Sequence, residues 1–426
     1  MPDRVAMTQL EIPDYDLGVR GKLVRSGKTQ TTSTLAMCTI LYGLSVTDEV
    51  TDTPFSNVGN GYPDAVLVPD QSTRIDLPWR NGIDAVIADL AGADGQPVEM
   101  SPRHTLQRLL TGYAGLGLTP VLGFEYELWL FHDRDQAGGA RRTFGGTENA
   151  YSLTRSAGAE ELALEFINRM ESIDIPVEMF HAELGPGFFE FTLAPAPALQ
   201  AADNAVRARQ YLRDLCAERG LHASFMAKPF ADKSGAGGHV HSSLVRNSVN
   251  VFSDGGRALS KDGRHYLAGL LAGMPDTVAM LNPYVNSFKR IDPEMFTPGV
   301  AAWGHDDRST ACRVILNDAA SARVEHRRPG ADASPYLVAA AILAAGLHGL
   351  TERLPLPSAG ETAAHLPADL HGAVAAFEDS AWAAPLLGKP FCGSYAATRR
   401  AEAQRYDRWL RHTITDWELN RHLEHQ

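Results

Sequence analysis

The sequence is poor in cysteine: four in 426 residues, Cys38, Cys216, Cys312 and Cys392. None stands in a CxxC pair. That speaks against a zinc ribbon or a disulfide framework and fits a reducing cytoplasmic setting. No apolar run reaches the ~18 residues that span a bilayer, so no membrane partner is expected. The opening stretch, MPDRVAMTQLEIPDYD, lacks the apolar core of a secretory leader. Basic residues are in deficit, 39 Lys and Arg against 51 Asp and Glu, a formal net charge of −12. That argues against nucleic acid as the main partner. It leaves an anionic small-molecule substrate open, because local arginines set the local field. There is no GxxxxGK[ST] loop, so this is not a P-loop enzyme, and KSGAGGH (233–239) is not a dinucleotide fingerprint. No internal repeat occurs. What is present, 44% hydrophobic and 21% charged residues, is ordinary for a globular enzyme.

Residues 1–100 carry short β-like runs, LGVRGKLV, STLAMCTILYGL, AVLVP and DAVIADL, punctuated by Gly, Pro, Asn and Asp. They read as a small α+β domain. SPRHTLQRLLTGYAGLG then predicts a helix, with Ser101 as cap, Pro102 in the first turn and glycines at the end. The second domain is set at 101–426. There, strand-like runs alternate with helical periodicity at 160–173, 198–220, 334–354 and 396–425. Residues 136–149 read as a flexible loop and 354–367 as a surface connection.

The stretch VLGFEYELWLF (121–131) poses the chemical question. As a strand it puts Leu122, Phe124, Tyr126, Leu128 and Leu130 on one face, and Glu125 and Glu127 side by side on the other. Either that second face is exposed, or a cation sits over it, since burying two carboxylates together costs several kcal/mol. Similar short strands recur. Glu183 and Glu190 flank a Gly-Pro-Gly turn, His239 and His241 share one face of GGHVHSSL, and Glu325 and Arg327 share one face of RVEHRR. An oxygen-rich set with an imidazole suits Mg²⁺ or Mn²⁺ rather than zinc. Alongside are Arg290, Arg308, Arg313, Arg323, Arg327 and Arg328, side chains that grip carboxylate and phosphate in bidentate fashion. Acids that hold metal beside clustered arginines point to a nucleotide polyphosphate and a carboxylic substrate.

In order, GFEYE, AELGPGFFE, AKPFADKSGAGGHVHSSL, LNPYVNSFKRI, WGHDDRSTACRV and RVEHRRPGADASPYL resemble the glutamine synthetase family. TDWELNRHLE resembles its terminal helix. The resemblance runs from about residue 12 to the end, and it implies an α+β fold. An N-terminal β-grasp domain would precede a catalytic domain of the glutamine synthetase type, with antiparallel strands forming a funnel flanked by helices. It also implies a homo-oligomer, a dodecamer of two hexameric rings, with active sites between subunits. ATP would activate the side-chain carboxylate of glutamate as an acyl phosphate, and an amine would take up the acyl group. By position, Glu127, Glu183 and Glu190 match one metal site and Glu125, His239 and Glu325 the other. Arg290 matches the grip on the substrate α-carboxylate and Gly235 the loop glycine near the amino acid, while Ser234 stands where the family has an asparagine. Arg308, Arg313 and Arg327 match the arginines at the transferred phosphoryl group. Glu178, His241, Ser243 and Arg323 match contacts to ribose and adenine.

The resemblance breaks at the amine end. Ammonia-using members place a glutamate six residues past the arginine of Arg290; here that residue is Phe296. The Asp-Gly-Ser-Ser latch has no clear counterpart in DTPFSNVGNGYPD. Phe188 replaces the glutamine of GPGQxE. Lost acids and added rings favour an organic amine, alkyl or aryl, over ammonium. An ammonia-using ligase and a non-catalytic scaffold or sensor are the alternatives.

Overall fold

The computed structural model describes residues 5–16, 18–30, 35–132 and 142–424. Of the expected loop over 136–149, residues 136–141 lie outside these. The N-terminal sheet is built from β1 (Met7–Pro13), β2 (Val19–Arg25), β3 (Ala36–Cys38), β4 (Asp64–Pro69), β5 (Ile75–Asp76) and β6 (Ile83–Ala91). Its order is β2-β1-β6-β4-β3, with β5 beside β6. The central pair β1/β6 is parallel and its other pairs are antiparallel, the mixed pairing of a β-grasp. The run STLAMCTILYGL is not one strand, because β3 gives way to a 3₁₀ turn over Thr39–Gly43. A continuous strand would send Leu41 and Tyr42 to opposite faces. The turn buries both, at 0% and 1% exposure.

Helix α1 (Pro102–Gly115) begins as the sequence predicts, with the Ser101 hydroxyl accepting from the His104 N–H and Pro102 in the first turn. Then come β7 (Thr119–His132), α2 (Leu153–Gly158), α3 (Glu160–Glu171), β8 (Val177–Ala182), β9 (Phe188–Leu193) and β10 (Ala196–Pro197). They are followed by α4 (Ala198–Glu218), β11 (Leu221–Ser224), β12 (Gly238–Arg246), β13 (Val249–Asn250), α5 (Lys261–Leu281) and α6 (Val285–Phe288). Next are β14 (Val300–Ala301), β15 (Trp303–His305), β16 (Cys312–Ile315), β17 (Arg323–His326), α7 (Pro335–Glu352) and β18 (Ala364–His365). The chain ends in α8 (Leu370–Asp379), α9 (Ala383–Leu387), α10 (Lys389–Arg411) and α11 (Asp416–His422). The helical periodicity of 396–425 is thus split, and a Thr415–Glu418 capping box starts the last helix.

Among the described residues the second sheet has ten strands, in the order β15-β16-β17-β12-β7-β9-β8 with three short strands attached. Its pairs are antiparallel except β15/β16. Strand β7 lies at its centre, paired to β12 on one side and β9 on the other. Its even-numbered residues from Leu122 to Leu130 are buried, as the alternation predicts. Helix α5 was not expected, because Gly263, Gly269, Gly273 and Pro275 read as helix breakers. The glycines serve its packing. A Cβ on Gly269 would stand 2.2 Å from the Ala345 carbonyl of α7.

Helix α7 corrects the statement that no apolar run is long enough to span a bilayer. By length and composition it is long enough, with a mean hydropathy of 1.2. Its Ala-rich sequence is apolar all round because 78% of it is buried within the fold, packed on α5, α1 and α4.

Candidate active site

The register of the second sheet converts scattered motifs into one charged face. Across β7/β12, Glu125 stands opposite His239. Across β12/β17, His241 stands opposite Glu325, and across β16/β17, Arg313 is opposite Glu325. On the other side, Glu127 faces Glu190 across β7/β9, and Glu190 faces His181 across β8/β9. A cavity of about 1500 Å³ lies over these residues. The residues matched by the resemblance to metal, nucleotide and glutamate line it, as do Phe188 and Phe296. Arg328, named with the other arginines, does not, being 0% exposed with its Nε donating to Asn282 Oδ1 at 2.8 Å.

At one end, the His239 Nδ1 lies 2.9 Å from Glu125 Oε1 and 3.6 Å from Glu325 Oε1. His241 Nε2 lies 3.6 Å from Glu125 Oε2. Burial alone would raise the pKa of Glu125, but His239 and His241 outweigh it and hold the carboxyl well below its usual range. Glu325 is lowered likewise, burial being outweighed by His239, Arg327 and His241. It accepts from Arg313 Nη1 at 3.0 Å and from Arg327 Nη1 at 2.5 Å. The ligand atoms of Glu125, His241 and Glu325 lie within 4.8 Å of one another, so His241 is as well placed to ligate as His239.

At the other end, Glu183 and Glu190 are 7% and 8% exposed. Burial and the charges of Glu125, Glu127, Glu183 and Glu325 push Glu190 up to about 10. Carboxylates gathered this closely need positive charge among them, and hard divalent cations with oxygen and imidazole donors fit. Glu125, His239, His241 and Glu325 would hold one ion, and Glu127, Glu183 and Glu190 another. Bound there, such ions neutralise phosphate charge and polarise phosphoryl oxygens.

A model of the glutamine synthetase catalytic domain matches residues 99–422. The chain belongs to the glutamine synthetase family. It is 32% identical over 403 residues to glutamate–isopropylamine ligase of a Pseudomonas species, covering 90% of this chain and 87% of that protein. To the γ-glutamylethanolamide synthetase GlnA4 of Streptomyces coelicolor it is 34% identical, with 87% and 81% covered. A glutamine synthetase of Clostridium saccharobutylicum is 32% identical, with 84% of each chain covered. The solved structure of apo GmaS without ligand superposes with a TM-score of 0.85 at 27% identity, over 99% of this chain and 97% of that one. The expected α+β fold is therefore the fold of this glutamine synthetase family ligase.

In this family member Arg290 is 3% exposed, and its guanidinium donates to the backbone carbonyls of Arg328 at 3.1 Å and Arg327 at 3.4 Å. Burial and neighbouring Arg327 lower its pKa, against the pull of Glu127. It makes no ion pair among the described residues, and its Nε has no partner. A buried cation without a counter-ion on a cavity wall is suited to a substrate carboxylate. The glycine loop fits closely against it, since a Cβ on Gly235 would stand 2.5 Å from Arg290 Cγ. Arg323 donates to His241 Nδ1 at 3.1 Å. Ser234 and Ser243 are partly exposed, while Arg308 and Glu178 are exposed on the cavity rim.

Two residues called for the amine pocket part company. Phe188 is 1% exposed, with its ring stacked on Trp129 at 4.6 Å, so it is chiefly a core residue under the cavity. Phe296 is 55% exposed at the end of the 3₁₀ turn Pro293–Met295.

The sequence reading missed Arg155 and His181. Arg155 donates to the carbonyls of Asn149, Glu183, Gly185 and Phe188, clasping the Gly-Pro-Gly turn that carries Glu183. Nothing in its neighbours signals that. His181, however, stands two residues before Glu183 on a strand, the spacing that revealed Glu125 and Glu127.

Proposed function

We propose that this ligase joins glutamate to an organic primary amine, giving a γ-glutamyl amide, ADP and phosphate. The single observation behind the choice of amine is Phe296. It presents an exposed ring to the cavity at the position where the family resemblance expects the ammonium-binding glutamate. It also holds a left-handed backbone (φ +57), a conformation that costs a bulky residue about 1–2 kcal/mol and marks functional sites. Met179, Leu184 and Met295 are exposed at 49%, 49% and 42% and line the same cavity. Apolar side chains in the cavity suit an alkyl or aryl amine better than ammonium or a diamine. The relatives named for isopropylamine and ethanolamine support the same branch.

In this reading Arg290 holds the α-carboxylate of glutamate beside Ser234 and Gly235. Its γ-carboxylate attacks the terminal phosphorus of ATP, ADP leaves, and an acyl phosphate forms. Arg313, Arg327 and Arg308 offset the charge on the phosphoryl oxygens. Glu178, His241, Ser243 and Arg323 line the nucleoside end, and Mg²⁺ or Mn²⁺ is the required ion. The amine nitrogen attacks the acyl carbon, phosphate leaves with the bonding pair, and the nitrogen loses a proton. We extend the reading to a dodecamer of two rings. Ile414, Trp417 and Leu423, 65–72% exposed on and around α11, support burial against another copy. A monomer in sedimentation velocity would remove that part.

The test is ADP release with ATP, Mg²⁺ and glutamate across ammonium, alkylamines, ethanolamine, putrescine and anilines, with product masses. An alkylamine or aniline should exceed ammonium by at least about tenfold in kcat/KM, the scale of one to two buried methylenes. Phe296→Ala should erase most of that preference while leaving the KM for ATP unchanged. Saturation by low-millimolar ammonium, or an unchanged preference in the variant, would defeat the organic-amine assignment.

A further inference from the structure

His181 lies on the charged face but has no role in the reading above. It stands on β8 directly opposite Glu190 on β9 and two residues before Glu183. Its Nε2 is 3.1 Å from Glu183 Oε1 and 3.5 Å from Glu190 Oε1. The ligand atoms of the three residues lie within 4.8 Å of one another. Donors about 2.1 Å from a shared ion sit roughly 3.0 Å apart at octahedral right angles and about 3.4 Å apart in a tetrahedron. Both measured separations are close to those values. The imidazole is also fixed in place, since its ring stacks on Tyr151 with centroids 5.4 Å apart and planes at 28°. Glu127, the other acid of this end, already accepts from the Gly237 N–H at 2.5 Å, so one of its oxygens is engaged.

We propose that His181 is a direct ligand of the metal at the Glu183/Glu190 end, so that both metal positions of this protein carry a nitrogen donor. The chemical consequence is selectivity. An all-oxygen set suits Mg²⁺, whereas an imidazole raises affinity for Mn²⁺ and more so for Co²⁺, following ligand softness and the Irving–Williams order. A hydrogen bond from His181 to Glu183 alone would give no such preference. The inference rests on the geometry of one sheet face and holds whichever amine is used, so it stands or falls apart from the ligase assay.

The experiment is Mn²⁺ titration of the metal-free protein, read as loss of the free-Mn²⁺ EPR signal, with Mg²⁺ as competitor. In His181→Gln, one of two Mn²⁺ sites should weaken at least tenfold while the other keeps wild-type affinity and reports that the fold is intact. Mg²⁺ affinity at the weakened site should change far less. Wild-type affinity at both sites, or a parallel loss of Mn²⁺ and Mg²⁺, would overturn the proposal. A second measurement leaves His181 in place. In the double variant His239→Gln, His241→Gln, the Mn²⁺ that still binds should show an imidazole nitrogen coupling by pulsed EPR, and an oxygen-only spectrum would refute ligation.

Discussion

Glu190→Gln is expected to stabilise the metal-free protein while removing about a thousandfold of turnover, comparable with losing a group aimed at transition-state charge. The two effects have one cause. Glu190 is 8% exposed and faces Glu127 across the sheet. Without cations, its carboxyl sits among Glu125, Glu127, Glu183 and Glu325, which with burial raise it to about 10. Its folded-state pKa lies above the unfolded value, so stability is fully present below the ordinary carboxyl range and is lost as pH rises toward about 10. A neutral amide removes that loss; near neutral pH Glu190 must be held protonated, and relieving that cost is a gain on the order of 1–3 kcal/mol at ~1.4 kcal/mol per pKa unit. The variant should melt higher than wild type in chelator, with a flatter pH dependence, and gain less from added Mn²⁺. A lower melting point in chelator would mean that the acids are stabilised by something other than cations.

Arg103→Ala is expected to be the most damaging change away from the cavity, costing about 3–5 kcal/mol, the range for removing one partner of a buried ionic network. Arg103 is 1% exposed and holds three carboxylates. It grips Asp203 of α4 through two nitrogens at 3.0 and 2.9 Å, Asp89 of β6 at 2.7 Å and Asp70 after β4 at 2.9 Å. Asp203 also accepts from the Tyr336 hydroxyl at 2.7 Å. Without the guanidinium these acids face one another, and the N-terminal sheet loses one of its ties to α1 and α4. Arg103→Lys should recover only part of the loss, because an ammonium cannot span the same fork. Thermal unfolding of the metal-free protein reads both variants. Melting of Arg103→Ala within a degree of wild type would show these charges to be effectively solvated.

How much of this was legible beforehand differs by element. Strand periodicity alone exposed Glu125 with Glu127 and His239 with His241, because i and i+2 share a face. Periodicity does not say which strands are neighbours. That Arg313, Glu325 and His241 stand side by side depends on long-range pairing, and only the family resemblance brought them together. Helix α5 was hidden because its glycines, needed for close approach to α7, look like breaks. The partner of Arg103 lies a hundred residues away at Asp203, and nothing local announces it. Phe188 was read as a wall of the amine pocket because its position, not its packing against Trp129, was visible in the sequence.

The backbone at Phe296 has a further consequence. The residues opposed across the sheet are fixed by strand pairing, whereas Phe296 sits at the end of a single turn that no strand pairing holds. Exchanging its side chain disturbs no ladder of hydrogen bonds and little of the core. Innovation in this protein is therefore cheapest where the acceptor would dock and dearest where phosphate chemistry is built. A lineage, or an engineer, retuning the 292–297 segment could change the product repertoire while inheriting the activation step intact.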